Sequence, residues 1–254
     1  KAGVSGVGPS EVITGPVTLR ATSNVDLTAV DWFLTNAIGT RQLLGHGITL
    51  NWTPTAAHAG NQTIYAVAKD AKGRFLSTDK VSFRVYLGTV YGPKAIATKD
   101  DFRAMAMKMS VPSYRETGMA ASLQVAQSLL ETAHGQSVPV DKYTGQLSYN
   151  LFGIKGTGPA GSIISNTWEE YNGRTFRIDA NFRAYNNVDE AWRDHKAILL
   201  ERPWYAPFRA VMTDPVLGAW GLRRSGYATD SQYPYKLIDI MNRYDLYKLN
   251  DLEL

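Results

Sequence analysis

Over the first third of the chain, apolar and polar residues alternate. Stretches 17–21, 29–35, 48–52, 62–68 and 80–86 are short, rich in β-branched and aromatic residues, and mostly of period two, the pattern of strands with one buried face. Turn-forming clusters separate them at Ser23-Asn24, Gly45-His-Gly47, His58-Ala-Gly-Asn61 and Asp70-Ala-Lys-Gly73, the last reading as a hairpin tip. Five or more such strands predict a small antiparallel sandwich of immunoglobulin-like type, with Trp32 and Trp52 as inward anchors.

Beyond Gly88-Thr-Val-Tyr-Gly-Pro93 the period lengthens to 3.6. This shift predicts two domains, a β-sandwich over 1–90 and a mainly helical domain over 91–254. Thr98 is a good N-cap, with Asp100 and Asp101 in the first turn and Phe102, Met105, Ala106 and Met109 on one stripe. A second helix is predicted over 119–134, stopped by Gly135. Asn187 caps a third, with Glu190 as capping-box partner and Ala191, Trp192, His195, Ile198 and Leu199 facing inward. Asp214-Pro215 opens a short helix, and residues 232–244 form the last. Between the second and third helices, 163–171 and 175–179 flank Asn172-Gly173, a strong signal for a two-residue hairpin turn. The helical domain therefore carries a small β-hairpin lobe.

Composition narrows the chemistry. The chain has 254 residues, 44% of them hydrophobic, enough for a packed core, and no cysteine. Disulfide frameworks, Cys-ligated metals and thiol nucleophiles are thereby excluded. The four histidines, His46, His58, His134 and His195, have no metal-ligand spacing, so neither a metal nor an organic cofactor is implied. The net charge is +4, of which +3 falls on residues 1–93 (8 Lys+Arg, 5 Asp+Glu) and +1 on the remainder (19 and 18). No basic run interleaved with aromatics exists, so nucleic acid is not an expected partner. No apolar stretch approaches the length of a membrane span, and a monomer is expected. The basic excess of the front module suits attraction to an anionic surface.

Carboxylates are left to do the work. On the second predicted helix Leu123, Ala126 and Leu130 make one apolar face, and Gln124, Gln127 and Glu131 form an adjacent stripe that borders the core. A carboxyl there, in the last helical turn, feels both desolvation and the negative end of the helix dipole. Both raise its pKa, which fits Glu131 to act as a general acid in glycosidic cleavage. Spacing alone better describes an ordinary surface glutamate that is simply a good helix former.

Five ordered motifs add to this reading: Gln127-Ser-Leu-Leu-Glu-Thr-Ala-His-Gly135, Tyr149-Asn-Leu-Phe-Gly-Ile-Lys155, Thr167-Trp-Glu-Glu-Tyr-Asn-Gly173, Phe182-Arg-Ala-Tyr185 and Gly226-Tyr-Ala-Thr-Asp230. Together they resemble the glucosaminidase domain of glycoside hydrolase family 73, bacterial peptidoglycan-cleaving enzymes of autolysin type, over roughly residues 95–250. The resemblance implies a lysozyme-like fold and an endo-β-N-acetylglucosaminidase acting on peptidoglycan glycan strands outside the cell or in its wall. It places Glu131 as the acid, Tyr227 as a catalytic aromatic close to it whose phenol would bond the substrate's acetamido group or steady the developing positive charge, and a second carboxylate on the hairpin. Gapless alignment through Asn172-Gly173 selects Glu169, while strand alternation sends Glu170 to the opposite face. Gln127, Asn150, Leu151, Phe152 and Gly153 are the expected substrate-binding wall, with Glu170 beside them. The chain departs from the family in having Thr132-Ala-His134 directly after the acid, where many members have Ser-Gly-Trp, which implies altered packing at the cleft floor.

Two other functions fit the same residues. A lytic transglycosylase also needs one acidic glutamate but forms an anhydro ring without water. A wall-binding module would keep the fold without turnover. In every case the front domain is expected to be a spacer or wall anchor, whose removal leaves catalysis on soluble fragments nearly intact.

Overall fold

The computed structural model describes residues 1–251. Residues 1–90 with 166–180 make one compact unit, and residues 91–165 with those from 181 onward make a second.

The first unit is all β. Its strands are β1 (Ala2–Ser5), β2 (Val12–Ile13), β3 (Val17–Ser23), β4 (Leu27–Asn36), β5 (Arg41–His46), β6 (Thr49–Trp52), β7 (Gly60–Asp70), β8 (Phe75–Ser77) and β9 (Val81–Val85). They form one sheet in the order β1-β3-β6 and another in the order β2-β9-β7-β4-β5, with β8 paired to β7. Inward positions of both sheets build the core, where Leu19, Trp32 and Ile64 are fully buried. The Trp32 indole donates to Gly47 O (2.8 Å), so the largest core side chain leaves no unsatisfied donor. The predicted tip at Asp70 holds: its carboxylate accepts from Lys72 N and Arg74 N, both at 2.9 Å, and Gly73 has φ +75°. The short strands β1, β2, β5 and β8 lie outside the predicted set. Gly45 and His46, expected in a turn, end β5, and the chain reverses at Gly47 (φ +112°). Arg41, Gln42 and Leu43 are all exposed, so β5 has no alternating face for the sequence to display.

A long hairpin, β10 (Ser162–Tyr171) and β11 (Arg174–Arg183), turns at Asn172 and Gly173, both with positive φ as a type I′ turn requires. Its distal residues, 166–180, cluster with the first unit, whereas the sequence pattern had grouped the hairpin with the helices.

The second unit holds α1 (Lys99–Thr117), α2 (Ala121–Glu131), α3 (Val188–Glu201), α4 (Ala206–Arg209), α5 (Pro215–Arg224) and α6 (Tyr233–Arg243). The predicted caps are in place: Thr98 Oγ1 accepts from Asp101 N, Asn187 Oδ1 from Glu190 N, and Asp214 Oδ1 from Val216 N and Leu217 N. Glu190 does not close the box on Asn187; its carboxylate accepts from Asn186 N (3.2 Å). At the centre lies α2, buried from Ala121 through Leu129. Small residues at 120, 121, 122, 126 and 128 let its neighbours approach on every side, so it has no solvent face. It also ends earlier than predicted, at Glu131. The Thr132 hydroxyl donates to Ser128 O (2.7 Å) and accepts from Gly135 N (2.8 Å), while Ala133, His134 and Gly135 all adopt left-handed φ.

Candidate active site

Glu131 sits where the buried helix stops and the chain turns. Gln127 lies one turn earlier on the same stripe. Between the two side chains stands the phenol of Tyr233, the first residue of α6. It accepts from Gln127 Nε2 (3.0 Å) and donates to Glu131 Oε1 (3.0 Å). Burial pushes the Glu131 carboxyl up to about 7, and the Tyr233 hydrogen bond, which favours the anion, pulls against that rise. A carboxyl poised there still carries a proton near neutrality and can release it to a leaving oxygen.

The other carboxylate oxygen faces a backbone. Gly153 has φ +66°, and a Cβ added to it would lie 2.7 Å from Glu131 Oε2. Glycine is therefore required both by conformation and by the approach of the acid. Gly153 is exposed, whereas Asn150, Leu151 and Phe152 are 0–1% exposed. The Asn150 amide is spent on the loop itself, donating to Ile154 O (2.8 Å) and Arg183 O (2.9 Å) and accepting from Phe152 N and Ile154 N. Of the expected wall, Gly153 presents surface, whereas Gln127, Asn150, Leu151 and Phe152 are buried and support it from behind.

Tyr227 is near the acid but bonded elsewhere. Its hydroxyl donates to Phe152 O (2.6 Å), and its ring stacks on Tyr233 with centroids 6.2 Å apart. Behind Phe152, the His195 ring stacks in parallel at 3.7 Å and Lys196 Nζ lies 4.4 Å from the ring centroid and 4.0 Å from that of Trp192. Neither His195 nor Lys196 has a hydrogen-bond partner, and burial drives both pKa values well down. The loop bearing Gly153 thus rests on a buried aromatic layer.

Glu169 and Glu170 occupy successive positions of β10, and both are exposed. Among the described residues no group of three or more His, Asp or Glu is arranged to hold a metal ion. The sequence missed Tyr233, whose contact with Glu131 spans 102 positions and leaves no trace in local periodicity. Burial of Lys196 was missed for the converse reason, a charged side chain next to an inward histidine.

The family model for glucosaminidase, described as mannosyl-glycoprotein endo-beta-N-acetylglucosaminidase, matches residues 108–246, more than half of the chain. The Escherichia coli K12 protein named peptidoglycan hydrolase FlgJ is 33% identical over 148 residues, covering 56% of this chain and 47% of that protein. Its Pseudomonas aeruginosa counterpart is 31% identical over 160 residues, covering 62% and 40%. This chain therefore spans less than half the length of these relatives. The catalytic domain of the autolysin Auto from Listeria monocytogenes is similar in structure, with a TM-score of 0.50 and 25% identity over 61% of this chain and 89% of that one. A Staphylococcus aureus structure described as N-acetylmuramoyl-L-alanine amidase gives 0.51 and 27%, over 61% and 44%.

Proposed function

The chain belongs to the glucosaminidase family, and from that premise we propose that it is an endo-β-N-acetylglucosaminidase hydrolysing β-1,4 bonds of peptidoglycan glycan strands. The observation that carries this reading is the Glu131 carboxyl, raised to about 7 by burial beside the open backbone of Gly153. Protonated Glu131 delivers its proton to the glycosidic oxygen as the bond to the anomeric carbon breaks. Tyr233 then stabilises the carboxylate left behind, because it already donates to Oε1. Water supplies the new hydroxyl, with Glu169 as the base that deprotonates it and the product inverted. The names of the relatives, peptidoglycan hydrolases in two bacteria, support the substrate and an extracellular, wall-associated place of action. Two sheets around a buried tryptophan support reading the β unit as an immunoglobulin-like sandwich, and the helical unit as the lysozyme-like catalytic domain.

The test is Glu131→Gln assayed for release of reducing ends from purified cell walls. Loss of 10²-fold or more is expected, as general acids contribute roughly 10²–10⁴-fold; unchanged release overturns the assignment. Mass spectrometry of the products separates hydrolysis from anhydro-ring formation by one water. Retention of the anomeric configuration would move the nucleophile from Glu169-activated water to the substrate's own acetamido oxygen.

A further inference from the structure

The hairpin strand that carries Glu169 is fastened, near its turn, to the N-terminal β module. Asn172, at the turn, donates its side-chain amide to Val4 O (2.9 Å). The Arg174 guanidinium pairs with the Glu11 carboxylate, which also accepts from Gly8 N (2.8 Å). Glu11 forms an antiparallel bridge with Ile178, and Tyr171 packs against the core of the module. The Phe176 ring is 4% exposed and seated on Gly8, where an added Cβ would come within 2.1 Å of it. Gly8 is thus the socket for Phe176, and a side chain there would expel the ring.

These contacts lie on one face of the hairpin. A two-residue type I′ turn opposes Tyr171 with Arg174 and, counting outward, Trp168 with Arg177 and Glu169 with Phe176. The Arg177 guanidinium accordingly lies 4.6 Å above the Trp168 ring. Alternation then puts Glu169 on the same face as Tyr171, Arg174, Phe176 and Ile178, all of which engage the module, and puts Glu170 on the other with Trp168. Glu169, immediately beyond this patch, is exposed.

We propose that the N-terminal module is a clamp that holds the hairpin in the conformation presenting Glu169, so that turnover depends on Gly8, Glu11 and Asn172. They are positioning residues, acting through the hairpin. The dependence of turnover rests on the proposed role of Glu169; the clamp itself does not. An isolated two-stranded ribbon is marginal in water, and this packing supplies what it lacks. The module is then part of the catalytic apparatus, where the sequence suggested a passive spacer.

The test uses the whole chain with three variants: Gly8→Val, Glu11→Arg, and Glu11→Arg combined with Arg174→Glu. Hydrogen exchange is followed over 166–180 and over α2, alongside kcat and KM on purified walls. Gly8→Val and Glu11→Arg should raise exchange in the hairpin at least severalfold while α2 stays protected. Both should lower kcat by roughly 10- to 100-fold, since a misplacement of about 1 Å can cost on the order of 10²-fold. The charge-exchanged double variant restores the ion pair but not the acceptor for Gly8 N, so it should recover part of both protection and turnover relative to Glu11→Arg. Unchanged hairpin exchange, or faster exchange with unchanged kcat, overturns the proposal. Exchange is read without any activity, so hydrolysis surviving in Glu131→Gln would defeat the glycosidase reading and leave the clamp standing.

Discussion

Tyr233 donates its phenolic hydrogen to Glu131 across 3.0 Å, joining the first residue of α6 to the last of α2. This bond favours the ionised acid, in opposition to burial. With Glu131 required in protonated form, kcat should fall as pH rises through about 7. Tyr233→Phe removes the opposing bond, so the falling limb should move to higher pH. A neutral-to-charged hydrogen bond of this kind corresponds to a displacement of about one to two pH units. A pH–rate profile of both proteins checks this; a limb moving downward would refute it.

The same carboxyl makes stability depend on pH. Its folded-state value, about 7, exceeds the ordinary 4.5, so the folded state binds the extra proton between these limits. Stability is then lost as pH rises through that window, by roughly 3 kcal/mol at 1.36 kcal/mol per unit. Glu131→Gln should match the parent near pH 4 and exceed it in stability at pH 8. Urea unfolding at the two pH values measures the difference.

Gly153→Ala combines two penalties, a left-handed φ of +66° and a Cβ 2.7 Å from Glu131 Oε2. The backbone penalty alone is about 1 kcal/mol. Displacement of the carboxylate should add a fall in kcat exceeding the effect on KM. Thermal melts and steady-state kinetics of the variant separate the two.

Lys196 buries an amine without a hydrogen-bond partner against the rings of Phe152 and Trp192. Its lowered pKa means the unfolded chain takes up the proton, which favours unfolding at neutral pH. Lys196→Met should therefore stabilise the protein at pH 7 by about 1–3 kcal/mol. The gain should shrink above about pH 10.4, where the unfolded lysine also loses its charge. Denaturant midpoints at pH 7 and pH 10.5 test both parts.

Short-range rules made most of this fold legible. Caps at Thr98, Asn187 and Asp214 depend on side chains reaching backbone two or three residues away, and a sequence displays those directly. Strands β1, β2 and β8 have four residues or fewer, too short to establish a period, and β5 has no alternating face. Gly135 marks a helix stop in the sequence, but α2 ends at Glu131 because the Thr132 hydroxyl, three residues before the glycine, already diverts the chain. At the candidate site, Glu131 was readable from its stripe and its place in the last turn. Tyr233 was not, being fixed by packing between α2 and α6. Nor was the seat of Phe176 on Gly8, where residues 168 positions apart meet.

Complete burial of α2 also limits how this protein can be altered. Every position from Ala121 to Leu129 is packed on all sides, so a change of volume there is transmitted to the acid at the end of the helix. The exposed part of β10 at Trp168 and Glu170 has no such packing constraint, since both side chains face solvent. Directed evolution toward new glycans should accordingly accumulate its accepted substitutions at those exposed β10 positions and leave the helix untouched.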